Sequence, residues 1–440
     1  MYTSHIGKRF VEIYNRRTNS EYTVKEFFET VFFPIFYGYP KFLNSPVNTP
    51  VFQLIISKKT GDAEERLKKK IEIDDKIEEH INSSALTPNM SFAIGYGPAD
   101  DFGTTSGQIT SLKLPVGAEE IYASWIGAGL GIGIAGGQNI LFDHEEILWA
   151  IYEGWHIYRK LVNQTDEIDN KIDTWNGVWI AHRFSTGYFP DFPEDNLNAF
   201  SIGKNGETKM ERPSWVKLMI LLSLTFGSTA LSAYVYVFSQ TNTTIGFIKI
   251  YLPQIRRVSQ LYDELFASSG IKTISLAELY ETEYGFIRAC EYGTIGLRQI
   301  EPKGLKKYIS SSGGENLPTQ KEYEKSTVQF NIYITWIVAM LNNKEFINLA
   351  ESTAKMLHKY ADGEKRAKTT RYNEVKEVIN AKSKKAFIDA LTAIVENEPT
   401  LAVECNTAVE AMHNDVPYEN VQYFITLLKF KYSLFEVMPL

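Results

Sequence analysis

The chain has 440 residues, of which 44% are hydrophobic and 22% charged, and its formal net charge is −7. This composition indicates a globular protein of two or three domains and excludes a largely disordered chain. The two cysteines, Cys290 and Cys405, have no metal-ligand spacing, so the sequence favours neither a disulfide scaffold nor a cysteine zinc site. Because no apolar run resembling a signal peptide begins the chain, we expect a cytoplasmic protein.

The predicted elements begin with helices. Residues 7–36 carry apolar side chains at helical spacing, and Pro34 and Pro40 end this segment. A charged, exposed helix is predicted over Asp62–His80, because eight acidic and five basic residues there leave few apolar ones. From residue 87 to residue 143 the many glycines predict strands and loops.

The middle of the chain is predicted to be mostly helical. An amphipathic helix is expected over residues 144–162, and a turn into a strand is expected at Trp175–Trp179. Helices are expected to dominate over residues 215–268, and a mixed region extends to about Ser312. The serine- and glycine-rich segment Ser310–Gly314 is a predicted linker.

A glycine-rich run at residues 127–137 matches no phosphate-binding motif. No Gly-Lys-Ser or Gly-Lys-Thr sequence follows it, and the pattern Gly129-x-Gly131-x-x-Ile134 lacks the third glycine of the dinucleotide fingerprint. Glycine lets a neighbouring backbone approach closely because it has no side chain. We therefore predict that these glycines serve close packing, not nucleotide binding.

Two stretches without charge, Ile121–Phe142 and Leu218–Phe238, are long enough to cross a bilayer. The first contains six glycines, and the second contains several serines and threonines that dilute its hydropathy. We expect buried elements of a large core, and a membrane-associated protein stays as an alternative.

The C-terminal region predicts a helical bundle with a basic surface. Apolar residues recur at helical spacing from Thr327 to Tyr432. Within this region, residues 355–385 contain ten Lys or Arg and four acidic residues, which reverses the sign of charge seen over the whole chain. A local cationic surface on an acidic protein indicates contact with a polyanion.

The candidate DNA-binding residues form two groups. The first is a loop whose backbone amides, hydroxyls and amide side chain suit phosphate and groove contacts, with a lysine after it: Gly103, Thr104, Thr105, Ser106, Gln108 and Lys113. The second comprises cations of the helical region: Arg371, Lys382, Lys384, Lys385, Lys429 and Lys431. A polar surface loop and a solvated helix face are the alternative interpretations of these two groups.

A metal-dependent nuclease is the alternative enzymatic interpretation. Asp191, Glu207 and Lys209 have the residue order of such a core, in which two carboxylates hold Mg²⁺ and the lysine positions the attacking water. The residues Lys204-Asn205-Gly206 are typical of a turn, which disfavours a buried strand at Glu207. No other metal site and no cofactor is predicted, because the seven histidines are scattered along the chain.

Three segments of the C-terminal block, Lys385–Ile394, Val416-Pro417 and Phe424–Tyr432, carry a resemblance to a known family. Together they resemble the helical domain of the large subunit of type I CRISPR Cascade effector complexes, and also the small subunits of those complexes. The resemblance implies a non-catalytic subunit that contacts the crRNA 5′ end, recognises the protospacer-adjacent motif on duplex DNA and helps to recruit a helicase-nuclease. It also implies that the helical bundle supports the displaced DNA strand.

The sequence thus predicts an α+β protein, with a mixed α/β body over residues 1–312 and an all-helical bundle over residues 313–440. The expected partners are crRNA, target double-stranded DNA, other Cascade-type subunits and the recruited helicase-nuclease, with no membrane and no cofactor. The Gly103–Gln108 loop is the hypothesised reader of the adjacent motif, on the basis of its loop chemistry alone.

Overall fold

A computed structural model describes residues 1–44, 64–65, 68, 71–72, 74–75, 78–79, 93–95, 116–165, 168–185, 200–204, 206, 208–236, 244–270, 273–309, 317–363 and 368–437. The chain divides into two compact units, Met1–Leu252 with Phe286–Thr294 and Pro253–Gly285 with Ile295–Leu440. The predicted α+β class is confirmed. The predicted domain boundary after residue 312 stays a prediction; the chain first changes unit after Leu252.

The described helices of the first unit, up to its first boundary, are α1 (Tyr2–Thr18), α2 (Val24–Phe27), α3 (Phe33–Tyr37), α4 (Ala118–Gly129), α5 (Glu145–Gln164), α6 (Ile172–Arg183) and α7 (Trp215–Phe226). A π-helical turn, Phe28–Phe32, joins α2 to α3. The helices that follow are α8 (Leu252–Phe266), α9 (Thr273–Leu279), α10 (Phe286–Cys290), α11 (Gln320–Leu341), α12 (Phe346–Ala361), α13 (Lys368–Ile379), α14 (Lys384–Asn397), α15 (Ala402–Asn414) and α16 (Val421–Val437). Short 3₁₀ turns occur at Ala267–Ser269, Arg298–Ile300, Leu305–Lys307, Pro399–Leu401 and Tyr418–Asn420.

The described strands are β1 (Ile132–Gly133), β2 (Asn139–Phe142), β3 (Phe200–Ile202), β4 (Thr208–Met210), β5 (Ala230–Tyr236), β6 (Thr244–Tyr251) and β7 (Thr294–Ile295). Five of them form a sheet in the order β1-β2-β5-β6-β7, in which β1–β2, β2–β5 and β5–β6 are antiparallel. Strands β3 and β4 form a separate antiparallel hairpin. In the β5–β6 pair, Tyr234 lies opposite Phe247.

Several predicted helices of the first unit are confirmed. Helices α1–α3 cover most of the segment predicted at residues 7–36, and α5 matches the amphipathic helix predicted at 144–162. The described positions between residues 64 and 79 are helical and mostly exposed, as expected for the charged helix. The segments 45–50 and 96–115 lie outside the described residues.

Three predictions for the first unit are wrong. Trp175–Trp179 lies inside helix α6, where a turn and a strand were expected. Residues 118–129 form helix α4, although the glycine content predicted strands and loops. The strands β5 and β6 occupy a region expected to be helical, because long apolar runs do not distinguish a buried strand from a buried helix.

The two uncharged stretches are each divided between a helix and strands. Ile121–Phe142 contains the end of α4 followed by β1 and β2, and Leu218–Phe238 contains most of α7 followed by β5. Over the described part of the chain, no helix combines the length and the apolar character that crossing a membrane requires.

Glycines bring α1 and α4 into close contact. A Cβ atom added to Gly7 would lie 1.9 Å from the carbonyl oxygen of Ala123, and one added to Gly127 would lie 1.9 Å from that of Thr3. Such distances leave no room for a methyl group, so the two backbones approach as only glycine allows. The prediction that residues 127–137 serve close packing is confirmed for Gly127.

The core of the first unit is built on three buried tryptophans from α5 and α6. The rings of Tyr158 and Trp175 stack with centroids 4.8 Å apart, and the indole of Trp175 donates to the carbonyl oxygen of Gly154 at 2.8 Å. The indole of Trp179 donates to the carbonyl oxygen of Ala150 at 2.6 Å, and Trp155 is fully buried. These bonds satisfy polar indole groups inside an apolar core.

The second unit is almost entirely helical in its described part, as predicted for the C-terminal bundle. Phe424 and Leu428 of α16 are fully buried, and Phe424 packs against Phe346 of α12 and Phe387 of α14. The indole of Trp336 in α11 donates to the carbonyl oxygen of Leu297 at 2.8 Å. The helical periodicity of the sequence therefore identifies the face that each helix buries.

Candidate nucleic-acid interface

Five exposed lysines of the second unit lie on or beside three consecutive helices, α12, α13 and α14. Lys355 and Lys359 are one turn apart on α12, Lys376 is in the last turn of α13, and Lys382 and Lys385 flank the beginning of α14. Among the residues that the structure describes, no carboxylate oxygen lies within 4.0 Å of these five ammonium groups. The positive charge of this set, called here the lysine surface, is therefore not neutralised by ion pairs within the described chain.

The beginning of α14 concentrates positive charge. The hydroxyl of Ser383 caps the helix by accepting from the backbone N–H of Ala386 at 3.1 Å, and the first turn contains no acidic residue. The free backbone N–H groups and the helix dipole add partial positive charge where Lys382 and Lys385 already lie. A cation at a helix N-terminus is electrostatically unfavourable, and a bound anion relieves this repulsion.

Lys384 has a structural contact besides its charge. Its ammonium donates to the backbone carbonyl of His413 in the last turn of α15 at 3.0 Å, which suits the negative end of that helix dipole. Asp389, on the next turn of α14, and Asp415, just after α15, are exposed, and within the described chain neither forms an ion pair with these lysines.

Arg371 packs against Tyr360 and pairs with Glu398, so its charge is not free for a partner. Its guanidinium lies 4.7 Å from the ring centroid of Tyr360 and pairs with Glu398 at 3.2 Å, and its side chain is 18% exposed. Burial, together with the hydrogen bond to Glu374, raises the pKa of Tyr360 to about 12, so this tyrosine stays neutral beside the arginine. Arg371 therefore joins α12 to the end of α14 and contributes less to the surface charge than its sequence position suggests.

The two lysines predicted near the C-terminus are not on the lysine surface. Lys429 is fully buried, and its ammonium donates to the backbone carbonyl of Tyr308 at 3.3 Å. Lys431 is 16% exposed and pairs with Glu351 at 2.7 Å. Lys429 is thus corrected from a candidate DNA contact to a core residue, because a buried ammonium cannot reach a phosphate.

The predicted loop lies outside the described residues. This applies to Gly103, Thr104, Thr105, Ser106, Gln108 and Lys113. Their proposed contacts to DNA stay predictions.

Of the three residues predicted for a nuclease core, the structure describes one. Asp191 and Glu207 lie outside the described residues, whereas Lys209 lies on β4 opposite Ser201, with an exposed side chain beside the buried Met210. No group of three His, Cys, Asp or Glu residues suited to hold a metal ion occurs among the described positions. The described geometry therefore adds no support to a nuclease centre.

A cleft of about 380 Å³ lies within the second unit. Its lining is mainly apolar and includes the buried Phe330 and Ile334, with Glu324 and Lys431 among its few polar residues. The lining residue Thr327 follows Ser326 in α11, and the φ of −136° and ψ of 33° at Ser326 interrupt this helix. The volume is that of a small-molecule site, but its polar lining residues, Glu324, Thr327, Asn331 and Lys431, select no single ligand class.

One face of the sheet carries an aromatic surface that was not expected from the sequence. Phe247, Lys249 and Tyr251 alternate along β6 with the buried Ile248 and Ile250. This period of two is the signal of a strand with one solvent-facing side, although the surrounding residues were expected to be helical.

The chain matches no protein-family model, no curated protein and no solved structure. The resemblance to the Cascade large subunit is therefore neither supported nor opposed by a detectable relative.

Proposed function

We propose that this chain is a non-catalytic, nucleic-acid-binding large subunit of a crRNA-guided DNA-surveillance complex of the Cascade type. The observation that supports this proposal is the lysine surface, whose ammonium groups have no carboxylate partners in the described chain although the whole chain is acidic. A phosphate backbone suits such a surface, because each neutralised phosphate releases condensed counterions and so favours binding.

In this proposal the lysine surface follows the backbone of the displaced DNA strand without reading its sequence. The crRNA 5′ end and the protospacer-adjacent motif are contacted elsewhere, with the Gly103–Gln108 loop as the candidate reader of the motif. The other partners are the remaining subunits of the complex and a recruited helicase-nuclease, and the proposed location is the cytoplasm.

The first experiment reverses the charge at the beginning of α14. The triple variant Lys382→Glu, Lys384→Glu and Lys385→Glu is compared with wild type for binding to a fluorescein-labelled single-stranded DNA over a range of salt concentrations. Each lost phosphate contact makes the negative slope of log K against log salt shallower by about 0.7, so the variant binds more weakly and its slope is shallower by about 1.4 from the loss of Lys382 and Lys385.

A matched control carries the same change of charge away from this surface. Lys321, Lys325 and Lys344 are exposed residues of the same unit, and their triple replacement by Glu changes the net charge equally. Equal losses in the two triple variants would mean that only net charge matters, and unchanged binding by the first variant would refute the role of α14. Magnesium-dependent cleavage of the DNA by the wild-type chain would favour the nuclease alternative.

A further inference from the structure

One face of the β5–β6 hairpin carries aromatic and basic side chains. Along each strand the buried residues alternate with residues that face away from the core, and those of the outer face are Ser232, Tyr234, Phe247, Lys249 and Tyr251. Tyr234 is paired with Phe247, and Ser232 is paired with Lys249. Successive residues on one face of a strand are about 6.8 Å apart, so an aromatic ring, an ammonium group and a second ring follow each other along β6.

Phe247 is held in place by two tyrosines and is nevertheless open to solvent. Its ring centroid lies 4.9 Å from that of Tyr2 and 5.2 Å from that of Tyr234, while 67% of the residue is exposed. The Tyr2 and Tyr234 rings are themselves 4.9 Å apart. Phe247 therefore presents a large, positioned apolar ring to solvent, and its contacts with Tyr2 and Tyr234 already restrict its motion.

The charge of this face favours an anionic partner. Strands β5 and β6 contain no acidic residue, and the ammonium of Lys249 lies 5.3 Å from the ring centroid of Tyr251. Asp143 acts electrostatically on Tyr2, but this carboxylate pairs with Arg9 at 2.5 Å and lies 3.5 Å from the imidazole of His5. The face thus combines an exposed ring and an exposed cation without an exposed, unpaired carboxylate from its own strands.

We propose that this face is a stacking site for single-stranded RNA. A base stacks on Phe247, and the ammonium of Lys249 contacts the adjacent phosphate. The hydroxyls of Ser232 and Tyr251 lie on the same face, and hydroxyls can both donate to and accept from a ribose 2′-hydroxyl, which favours RNA over DNA. This inference rests on the proposed nucleic-acid-binding function and adds to it a second site, in the first unit.

The test measures binding of a short fluorescein-labelled oligouridine by fluorescence anisotropy. Phe247→Ala is expected to weaken binding about tenfold, which corresponds to about 1.4 kcal/mol, and Phe247→Trp is expected to preserve it. Tyr418→Ala serves as control, because Tyr418 is 78% exposed but lies in the second unit. Circular dichroism melting curves of all variants check that they are folded.

An abasic oligonucleotide separates stacking from charge. It keeps the phosphates but has no bases, so Phe247→Ala is expected to leave its affinity unchanged, whereas Lys249→Gln is expected to weaken both oligonucleotides. An equal effect of Phe247→Ala on both would overturn the stacking role. Equal affinity of the wild-type chain for a DNA of the same sequence would overturn the choice of RNA. Unchanged binding of oligouridine by Phe247→Ala would refute the proposal.

The failure of this inference is distinguishable from the failure of the proposed function. Ligand-dependent quenching of the tryptophan added in Phe247→Trp reports on the first unit, whereas the triple reversal at α14 reports on the second. If the triple variant at α14 loses binding, but the Phe247→Trp variant shows no quenching when the ligand binds, the stacking site alone would be refuted. Absence of any RNA or DNA binding by the wild-type chain would refute both.

Discussion

The guanidinium of Arg212 forms an ion pair with Asp173, a carboxylate whose side chain is only 1% exposed. The same arginine donates to the hydroxyl of Thr174 at 3.0 Å, so it contacts the first turn of α6 at two points. Burial raises the pKa of Asp173, and the positive charge of Arg212 opposes that rise. The ion pair therefore determines whether this part of the core tolerates a charged carboxylate.

We expect Arg212→Met to destabilise the protein strongly. Removal of one partner leaves an unpaired buried carboxylate, which typically costs about 3–5 kcal/mol of the free energy of unfolding. Urea denaturation at pH 7 measures the loss. The double variant Arg212→Met with Asp173→Asn is expected to recover part of it, and a double variant as unstable as the single one would contradict this account.

The same variant is expected to be less impaired in acid. Without Arg212 the pKa of Asp173 in the folded state rises further above that of the unfolded chain, which is about 3.9. The native state then binds the proton more tightly than the unfolded state, so stability falls as the pH rises between these two pKa values. The gap in unfolding free energy between wild type and Arg212→Met should therefore be smaller at pH 5 than at pH 8. A gap that does not change with pH would exclude Asp173 as its source.

The contact between α1 and α4 predicts a second effect on stability. Gly127→Ala and Gly7→Ala each place a methyl group against a backbone carbonyl oxygen, which forces the helices apart. Overpacking of this kind costs about 1–3 kcal/mol or more. Gly285→Ala is the control, since a Cβ atom there would meet nothing within 4 Å. Thermal melting of the three variants tests the prediction, and equal melting temperatures would show that the two helices can shift without cost.

We expect the second unit to lose stability in acid because of Glu322. The hydrogen bond from Lys307 and the backbone N–H of Thr319 lower the pKa of Glu322 to about 2. Because this pKa lies below the unfolded value of about 4.3, the stabilisation is present above pH 4.3 and is lost as the pH falls towards 2.

Glu322→Gln keeps a capping-box residue but removes the charge, so it isolates the ion-pair part of this effect. The side chain is partly exposed, and we therefore expect a loss of less than about 1 kcal/mol at pH 7 that shrinks below pH 4. Glu324→Gln on the same helix is the control. Equal melting temperatures of Glu322→Gln and wild type at pH 7 would count against a stabilising pair.

The salt dependence of DNA binding should also report on α12. Lys355→Gln with Lys359→Gln is expected to make the negative slope of log K against log salt shallower by about 1.4, because two single-strand phosphate contacts are lost. Lys321→Gln with Lys325→Gln is the matched control, since these lysines are also exposed and one helical turn apart. An unchanged slope in the first variant would remove α12 from the interface.

Much of the helical architecture could be predicted from the sequence, because its signal is local. The periodic apolar residues of α16 identify the face that buries Phe424 and Leu428, and the glycine run indicated the close contact made by Gly127. Both inferences depend on neighbouring residues alone. The local excess of cations over residues 355–385 is likewise a feature of the sequence alone, and of the six predicted cations only Lys382 and Lys385 belong to the lysine surface.

The errors arise where distant residues decide the outcome. The Asn-Gly pair in α6 resembles a turn, but the amide of Asn176 donates to the carbonyl oxygens of Gly129 and Gly131, both at 2.8 Å. Lys429 resembles a surface cation until its burial against Tyr308 is seen. Pairing of β2 with β5 joins segments about ninety residues apart, which no local pattern reveals.

The path of the chain between the two units limits how the protein can be dissected. The chain changes unit after Leu252, after Gly285 and after Thr294. A truncation at residue 312 would therefore separate residues 253–285 and 295–309 from the helices with which they belong, and would expose the apolar surfaces of both fragments. A single cut therefore cannot separate the two units. To express the second unit alone, residue 285 must be joined to residue 295 by a linker that replaces residues 286–294, or the chain must be circularly permuted.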